Sequence, residues 1–121
     1  MSKRIMVVDD SASMRQMIKF TLSSAGYDVI EAVDGLDAMK KLNGDPVHLI
    51  IADINMPNMD GIELIRNIRA SSDYKFTPII VLTTESQTAL KEEGKSAGAT
   101  GWIVKPFNQS QLLQVIKRVL G

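Results

Sequence analysis

The 121-residue chain has no cysteine, only 5% aromatic residues and four prolines, and its fourteen acidic side chains cancel its fourteen basic ones. Without cysteine there is no disulfide framework and no thiolate metal site, a composition that suits a reducing compartment. A chain of zero formal net charge lacks the broad positive field that drives nucleic-acid binding, and no polybasic tract offers itself to anionic lipid. Long apolar runs are missing too. The N-terminus, MSKRIMVVDD, starts basic, but its apolar run ends after Val8 at two aspartates. A secretory signal needs a longer apolar core, and a membrane span needs around 20 apolar residues. The chain is therefore expected to be cytoplasmic, with no membrane insertion and no nucleic-acid partner. Repeats, low-complexity segments and linkers are also absent, and the length suits one domain, 1–121, that buries about two-thirds of its unfolded surface.

What is present is an alternation of two kinds of apolar pattern. Ile5-Met6-Val7-Val8, Leu49-Ile50-Ile51-Ala52 and Ile79-Ile80-Val81-Leu82 are short, continuous and mostly β-branched. That suits strands covered on both faces, as in a parallel sheet flanked by helices. Asp28–Ala32 and Trp102–Val104 are shorter candidates, placed nearer the edges. Between the strands, Met14, Met17, Ile18, Thr21, Leu22 and Ala25 share one helical face, and Gly26 follows as a stop. Ala38, Met39 and Leu42 give a shorter helix, and Gly61, Leu64, Ile65 and Ile68 form a third face. Leu112, Val115, Ile116, Val119 and Leu120 form the last, with Asn108 placed to cap it and Gln111 to reach back. The fourth helix, Thr88 to Ala97, offers only Ala89, Leu90 and Ala97 as apolar contacts, and Gly94 inside it costs ~1 kcal/mol relative to alanine. It is predicted to be the most loosely held.

The order is βα five times over, an α/β chain whose parallel strands imply a right-handed doubly wound sheet. In such folds ligands sit beyond the carboxyl ends of the strands, where the strand order reverses. The residues there are Asp9 and Asp10, Asp53, Thr83 and Lys105. Three carboxylates at one sheet edge repel one another unless positive charge sits among them. Hard oxygen ligands with room for water suit Mg²⁺. One carboxylate would then be free to attack phosphorus, while Lys105 and the Thr83 hydroxyl receive phosphoryl oxygens. Taken singly, each residue has an ordinary explanation: aspartates cap turns and helices, threonine is a strand residue, and lysine is solvated. Their joint arrival at the ends of four strands is hard to explain by capping.

Val7-Val8-Asp9-Asp10-Ser11, Asp53-Ile54-Asn55-Met56-Pro57-Asn58-Met59-Asp60-Gly61, Leu82-Thr83-Thr84-Glu85 and Gly101-Trp102-Ile103-Val104-Lys105-Pro106-Phe107 together resemble the receiver domain of two-component response regulators. The chain is most similar to the CheY-type chemotaxis regulators among them. The resemblance runs from about Lys3 to Leu120, and the flavodoxin-like strand order 2-1-3-4-5 comes with it rather than from periodicity.

The resemblance implies that Asp53 is the phosphoacceptor, phosphorylated by a histidine kinase. It implies that Asp10, Asp53 and the backbone carbonyl of Asn55 ligate Mg²⁺, or Mn²⁺ in its place, with Asp9 acting largely through water. Lys105 pairs with the phosphoryl group, its bond to Pro106 is cis, and Thr83 swings toward a phosphoryl oxygen. The aromatic that turns inward in response is here Trp102, where tyrosine or phenylalanine is more usual; a static packing aromatic is the alternative. Asn55 and Glu85 tune the lifetime of the acyl phosphate, and Pro57, Gly61 and Pro106 shape loops. The partner face comprises Lys91, Glu92, Lys95, Trp102 and Lys117, with a flagellar motor switch protein as its target and a phosphatase as a further partner. His48 precedes the third strand and is read as a packing residue. A monomer is expected, and a signalling protein rather than an enzyme, although it assists its own phosphorylation and dephosphorylation.

Competing readings fare less well. A haloacid-dehalogenase-type phosphatase wants Asp-x-Asp-x-Thr after the first strand, where this chain has Asp9-Asp10-Ser11-Ala12-Ser13. An FMN carrier would need a glycine- and hydroxyl-rich loop there to cradle phosphate. A pure adaptor would need neither the acidic cluster nor Lys105. Within the receiver class, a motor regulator, a phosphorelay intermediate and a phosphate sink all remain open.

Overall fold

The three central runs pair side by side because each is apolar on both faces and cannot leave either one in water, and two shorter strands close the edges. The computed structural model describes residues 3–121 and places them in the order β1 (Arg4–Val8), α1 (Ala12–Ser24), β2 (Asp28–Ala32), α2 (Gly35–Lys41), β3 (Leu49–Ala52), α3 (Gly61–Ala70), β4 (Ile79–Thr83), α4 (Thr88–Ala97), β5 (Gly101–Val104) and α5 (Gln109–Leu120). All strand pairs are parallel, and the sheet runs β2-β1-β3-β4-β5. The two weaker strands, β2 and β5, are its edges.

Alternation along the strands divides the core in two. Met6, Val8, Ile50, Ala52, Ile79 and Val81 face one side and meet Ile62, Leu64, Ile65 and Ile68 of α3. Ile5, Val7, Leu49, Ile51, Ile80 and Leu82 face the other and meet Ile18 and Leu22 of α1 and Leu112 and Ile116 of α5. Each Leu or Ile so buried contributes about 1.5–3 kcal/mol. Central strands that read as unbroken apolar runs therefore have a helical layer on each face.

The helix ends follow local chemistry. Ser11, Asp34, Asp60 and Asn108 each accept a backbone N–H of the first turn that follows. After α1, Gly26 takes the left-handed conformation at φ 94°, and its N–H and that of Tyr27 return to the carbonyls of Ser23 and Leu22. Two expectations need correction. Met17 is 42% exposed and Ala25 is exposed, because the buried stripe of α1 centres on Ile18, Thr21 and Leu22. Asn108 caps α5 through the N–H groups of Ser110 and Gln111, but Gln111 is exposed and its side chain makes no return bond to Asn108 among the described residues.

No helix among the described residues is long and apolar enough to cross a membrane.

Candidate functional site

Ladder hydrogen bonds continue past the strands and carry the site residues to one edge. The N–H of Asp9 donates to Ala32, that of Asp53 to Val8 and that of Lys105 to Thr83, at 3.2, 3.1 and 2.7 Å. Asp9, Asp53, Thr83 and Lys105 thus share the carboxyl edge of the sheet, around the point where β1 passes to β2 on one side and β3 on the other.

Lys105 joins the carboxylates. Its ammonium lies 2.8 Å from Asp9 Oδ2 and 3.0 Å from Asp53 Oδ2, with all three side chains largely buried. Burial pulls the lysine pKa down, but hydrogen bonds to Asp9 and Asp53 and their charges outweigh it, and the net shift is upward. The ammonium is therefore held protonated. Asp53 Oδ1 accepts the backbone N–H groups of Ile54 and Asn55 at 2.6 and 3.2 Å. Asp9 Oδ1 accepts that of Ser11 at 2.9 Å.

Asp10, by contrast, is exposed and receives no hydrogen bond among the described residues. Three carboxylates against one ammonium leave two negative charges uncompensated at this edge, and the available donors are all oxygen: Asp10, Asp53 and main-chain carbonyls. That charge and that donor set fit a hard divalent cation that keeps some of its water. Among the described residues no three acidic, histidine or cysteine side chains close into a metal cluster by themselves. A cation here would complete its shell with carbonyl and water oxygens.

Thr83 is fully buried and its hydroxyl accepts the N–H of Glu85 at 3.3 Å; it is not bonded to Asp53 in this structure. Glu85 reaches the other way, where its carboxylate accepts the Asn55 amide at 2.8 Å. The side chains two residues beyond Asp53 and Thr83 therefore meet across the mouth of the site. Trp102 is half-buried against the core, and its indole N–H finds its partner in the Glu85 carbonyl at 3.0 Å. The Lys105–Pro106 peptide bond is cis.

The loop positions are sterically constrained. A Cβ on Gly61 would collide with the Asp53 carbonyl, so only glycine lets α3 begin directly beneath the end of β3. Pro57 and Pro106 are exposed. Lys91 and Lys95 line a shallow cleft of about 270 Å³ with Ala99, Thr100, Gly101 and Trp102, whereas Glu92 and Lys117 are exposed outside it. His48 lies at the opposite, amino edge of the sheet. Its Nδ1 accepts the Arg4 N–H at 3.0 Å, so it is an element of the β1–β3 junction as well as a packing residue.

Sequence reasoning missed several residues that bear on the site. Helix propensity marks Gly94 only as a weak point of α4, yet it is the one buried residue of that helix, and a Cβ there would come within 2.7 Å of the Trp102 ring. It is the seat of the indole. Arg15 donates to the Asp9 carbonyl at 2.6 Å and pairs with Glu31. Asp34 accepts from Asn58. An arginine on a helix or an aspartate at a cap carries no sign of such long-range partners; only the pairing of a large Trp102 with a glycine on the preceding helix could have hinted at one.

Residues 5–117 match the family model for the response regulator receiver domain. The chain is 42% identical over 120 residues to the chemotaxis protein CheY1 of Helicobacter pylori, covering 98% of this chain and 97% of that one. It is 49% identical to chemotaxis protein CheY4 of Vibrio cholerae, whose solved structure superposes with a TM-score of 0.95 over 99% of this chain and 100% of that one. The receiver domain of a Pseudomonas aeruginosa sensor histidine kinase, described with a magnesium ion coordinated in its active-site cleft, is 29% identical with a TM-score of 0.92, covering 100% of this chain and 99% of that one. Strand order, strand-end acidic residues, buried lysine and sequence agree: this chain belongs to the response regulator receiver domain family, as a signalling protein of the CheY type.

Proposed function

We propose that Asp53 is the residue phosphorylated by a partner histidine kinase, and that the modification changes the face formed by α4, β5 and α5 to control a protein target. The observation that carries this reading is the buried ammonium of Lys105, shared at 2.8 and 3.0 Å between Asp9 and Asp53. A protonated lysine beside a carboxylate nucleophile stabilises the charge that gathers on transferring phosphoryl oxygens. An Asp53 carboxylate oxygen forms the new bond to phosphorus, the P–N bond of the phosphohistidine breaks, and the leaving imidazole takes up a proton.

Mg²⁺ would be held by Asp10, Asp53 and the Asn55 carbonyl, with Asp9 through water, and Mn²⁺ would serve in its place. Bound there, the cation supplies neutralisation of the carboxylates and phosphoryl oxygens. The protein's own contribution is positional. The main-chain N–H groups of Ile54 and Asn55 fix the Asp53 carboxylate, and the Asn55–Glu85 bond limits the approach of water to the acyl phosphate. Thr83 is the residue that reports the phosphoryl group: turning its hydroxyl toward it would release the Glu85 N–H. Because the Glu85 carbonyl holds the indole N–H, that turn is mechanically joined to Trp102 and to the cleft lined by Lys91 and Lys95.

The chemotaxis names of the Helicobacter and Vibrio relatives favour a flagellar motor switch protein as target, with a phosphatase as a second partner and a monomer as the working form. Asp53→Asn is expected to abolish labelling by a small phosphodonor, and retention of label at the normal rate would remove Asp53 as acceptor. Lys105→Ala is expected to impair switching more than metal binding. Beryllofluoride with Mg²⁺ should tighten binding to a motor-switch peptide about tenfold, which is about 1.4 kcal/mol. No binding in either state would move the output to phosphorelay or phosphate storage.

A further inference from the structure

The turn that opens α2 is tied to the loop that follows Asp53. Asp34 is buried and uses both carboxylate oxygens: Oδ1 accepts the Asp37 N–H at 2.8 Å and caps α2, while Oδ2 accepts the Asn58 side-chain amide at 2.9 Å. Asn58 is the one non-glycine residue with positive φ among those described, at 69°. Asparagine tolerates that conformation better than most residues, but its side chain is not needed for the conformation itself. Beside this bond, Gly35 lies so close to Met59 that a Cβ would come within 2.8 Å of its carbonyl and side chain. The two loops interlock, polar partner against polar partner and glycine against methionine.

The loop so gripped is the one that carries Asn55. Its upstream part is anchored by burial of Ile54 and Met56, and its downstream part by the Gly61 N–H on the Ile54 carbonyl at 2.9 Å. Between these ends three side-chain bonds tie the loop to other elements: Asn55 to Glu85, Met59 to Asn67 of α3, and Asn58 to Asp34, the one that joins it to the turn opening α2. A carbonyl whose backbone is held in place before binding adds more to cation affinity, because less order has to be imposed when the cation arrives.

We infer that Asp34 is a positioning residue for divalent-cation binding: through Asn58 it presets the backbone of the 54–60 loop, so that the Asn55 carbonyl is already aimed when Mg²⁺ arrives. This rests on the cation site proposed above. Asp34 would touch neither the cation nor the phosphoryl group. Its role as helix cap and its role as loop clamp are carried by separate oxygens, so they can be separated by substitution.

Asn58→Gly retains the left-handed backbone and loses the amide. Asp34→Ser retains a capping oxygen but is too short to reach Asn58. Mg²⁺ titrations of the full chain by isothermal calorimetry, at one pH and fixed ionic strength, should show three- to tenfold weaker binding in each variant. The double variant should be no weaker than the worse single one, because both remove the same bond. Metal-free melting of Asn58→Gly should remain a single cooperative transition lowered only by the loss of one hydrogen bond, so that at the titration temperature the variant is fully folded. Wild-type affinity in both variants would overturn the clamp and leave the cation site standing. Additive losses would also overturn it, by showing independent effects. Absence of Mg²⁺ binding in the wild-type chain would overturn the cation site and the clamp together.

Discussion

Helices α3 and α4 are both ten residues long, yet α3 buries five of them and α4 buries only Gly94. Apolar burial holds α3, through Ile62, Leu64, Ile65 and Ile68. Shape and polar contacts hold α4. The Arg69 guanidinium, at the last turn of α3, donates to the Gly98 carbonyl that ends α4 at 2.8 and 3.2 Å, and to the Thr77 carbonyl at 2.7 Å. Gly94 rests on the Trp102 ring. The other end is loose: Gln87 makes no side-chain capping bond, and no acidic residue sits in the first turn. A helix pinned at its C-terminus and middle but not at its N-terminus can shift where it meets the Thr83–Glu85 turn at little cost in buried area. Elements that move in switching are drawn from such weakly held parts.

The largest test of this contrast is in α3. Leu64→Ala is expected to cost about 2–5 kcal/mol in chemical denaturation; a loss under 1 kcal/mol would mean that α3 is not held by burial. On α4 the sharper test is one of sign. Gly94→Ala should favour a free helix by about 0.5–1 kcal/mol, but against Trp102 it should destabilise the protein by about 1–3 kcal/mol through overpacking. In a Trp102→Ala background the same substitution should become stabilising. If it stabilises in the wild-type background, the indole does not need the glycine. Since Trp102 is the only tryptophan, its emission gives an independent reading of whether the ring has been displaced.

Gln87→Asp should supply the missing cap and add about 1 kcal/mol, and slower amide exchange in the first turn of α4 would locate the gain. Unchanged exchange there would show that this end is already fixed. The smallest effects expected are those of pH. The Asp34 carboxyl is lowered, chiefly by the Asp37 N–H and next by the Asn58 amide, and Asp37 is lowered chiefly by the Val33 N–H. Their stabilisation is present above the unfolded value of 3.8 and is lost as pH falls through the lower folded values. Lys105 is shifted upward, so its contribution is present below its ordinary 10.5 and is lost only as pH rises through the higher folded value. Melting temperatures that stay level from pH 5 to pH 2 would remove the carboxylate contribution. Removing Asn58 should reduce the acid-side loss, since it withdraws one bond to the ionised Asp34.

The fold was legible wherever one residue type or one local spacing decides an element. Leu49–Ala52 and Ile79–Leu82 read as strands covered on both faces because they are unbroken apolar runs, and both are flanked by helices in the structure. The capping residue Asn108 read directly, since a cap bonds to its own first turn; the Ser11 cap came from the structure. The position of Met17 did not, because periodicity defines a stripe but not how far its edge is covered. Gly94 was legible as a weak helix former and nothing more. Its contact with Trp102 crosses from α4 to β5, and no local signal reports what packs on a glycine.

The sequence by itself determined that five strands alternate with helices, and that Asp9, Asp10, Asp53, Thr83 and Lys105 stand at strand ends, because strand length and side-chain alternation are local properties. Tertiary structure decided which of them touch. Lys105 reaches Asp9 and Asp53 over 96 and 52 residues of chain, while Asp10, adjacent in sequence, points into solvent. The joining of Asp34 to Asn58, of Glu85 to Asn55 and of Trp102 to Gly94 was likewise decided there. The physical reason is the same in each case: a side chain's chemistry states what partner it can take, and only the packing of the sheet and its loops brings one such partner within reach.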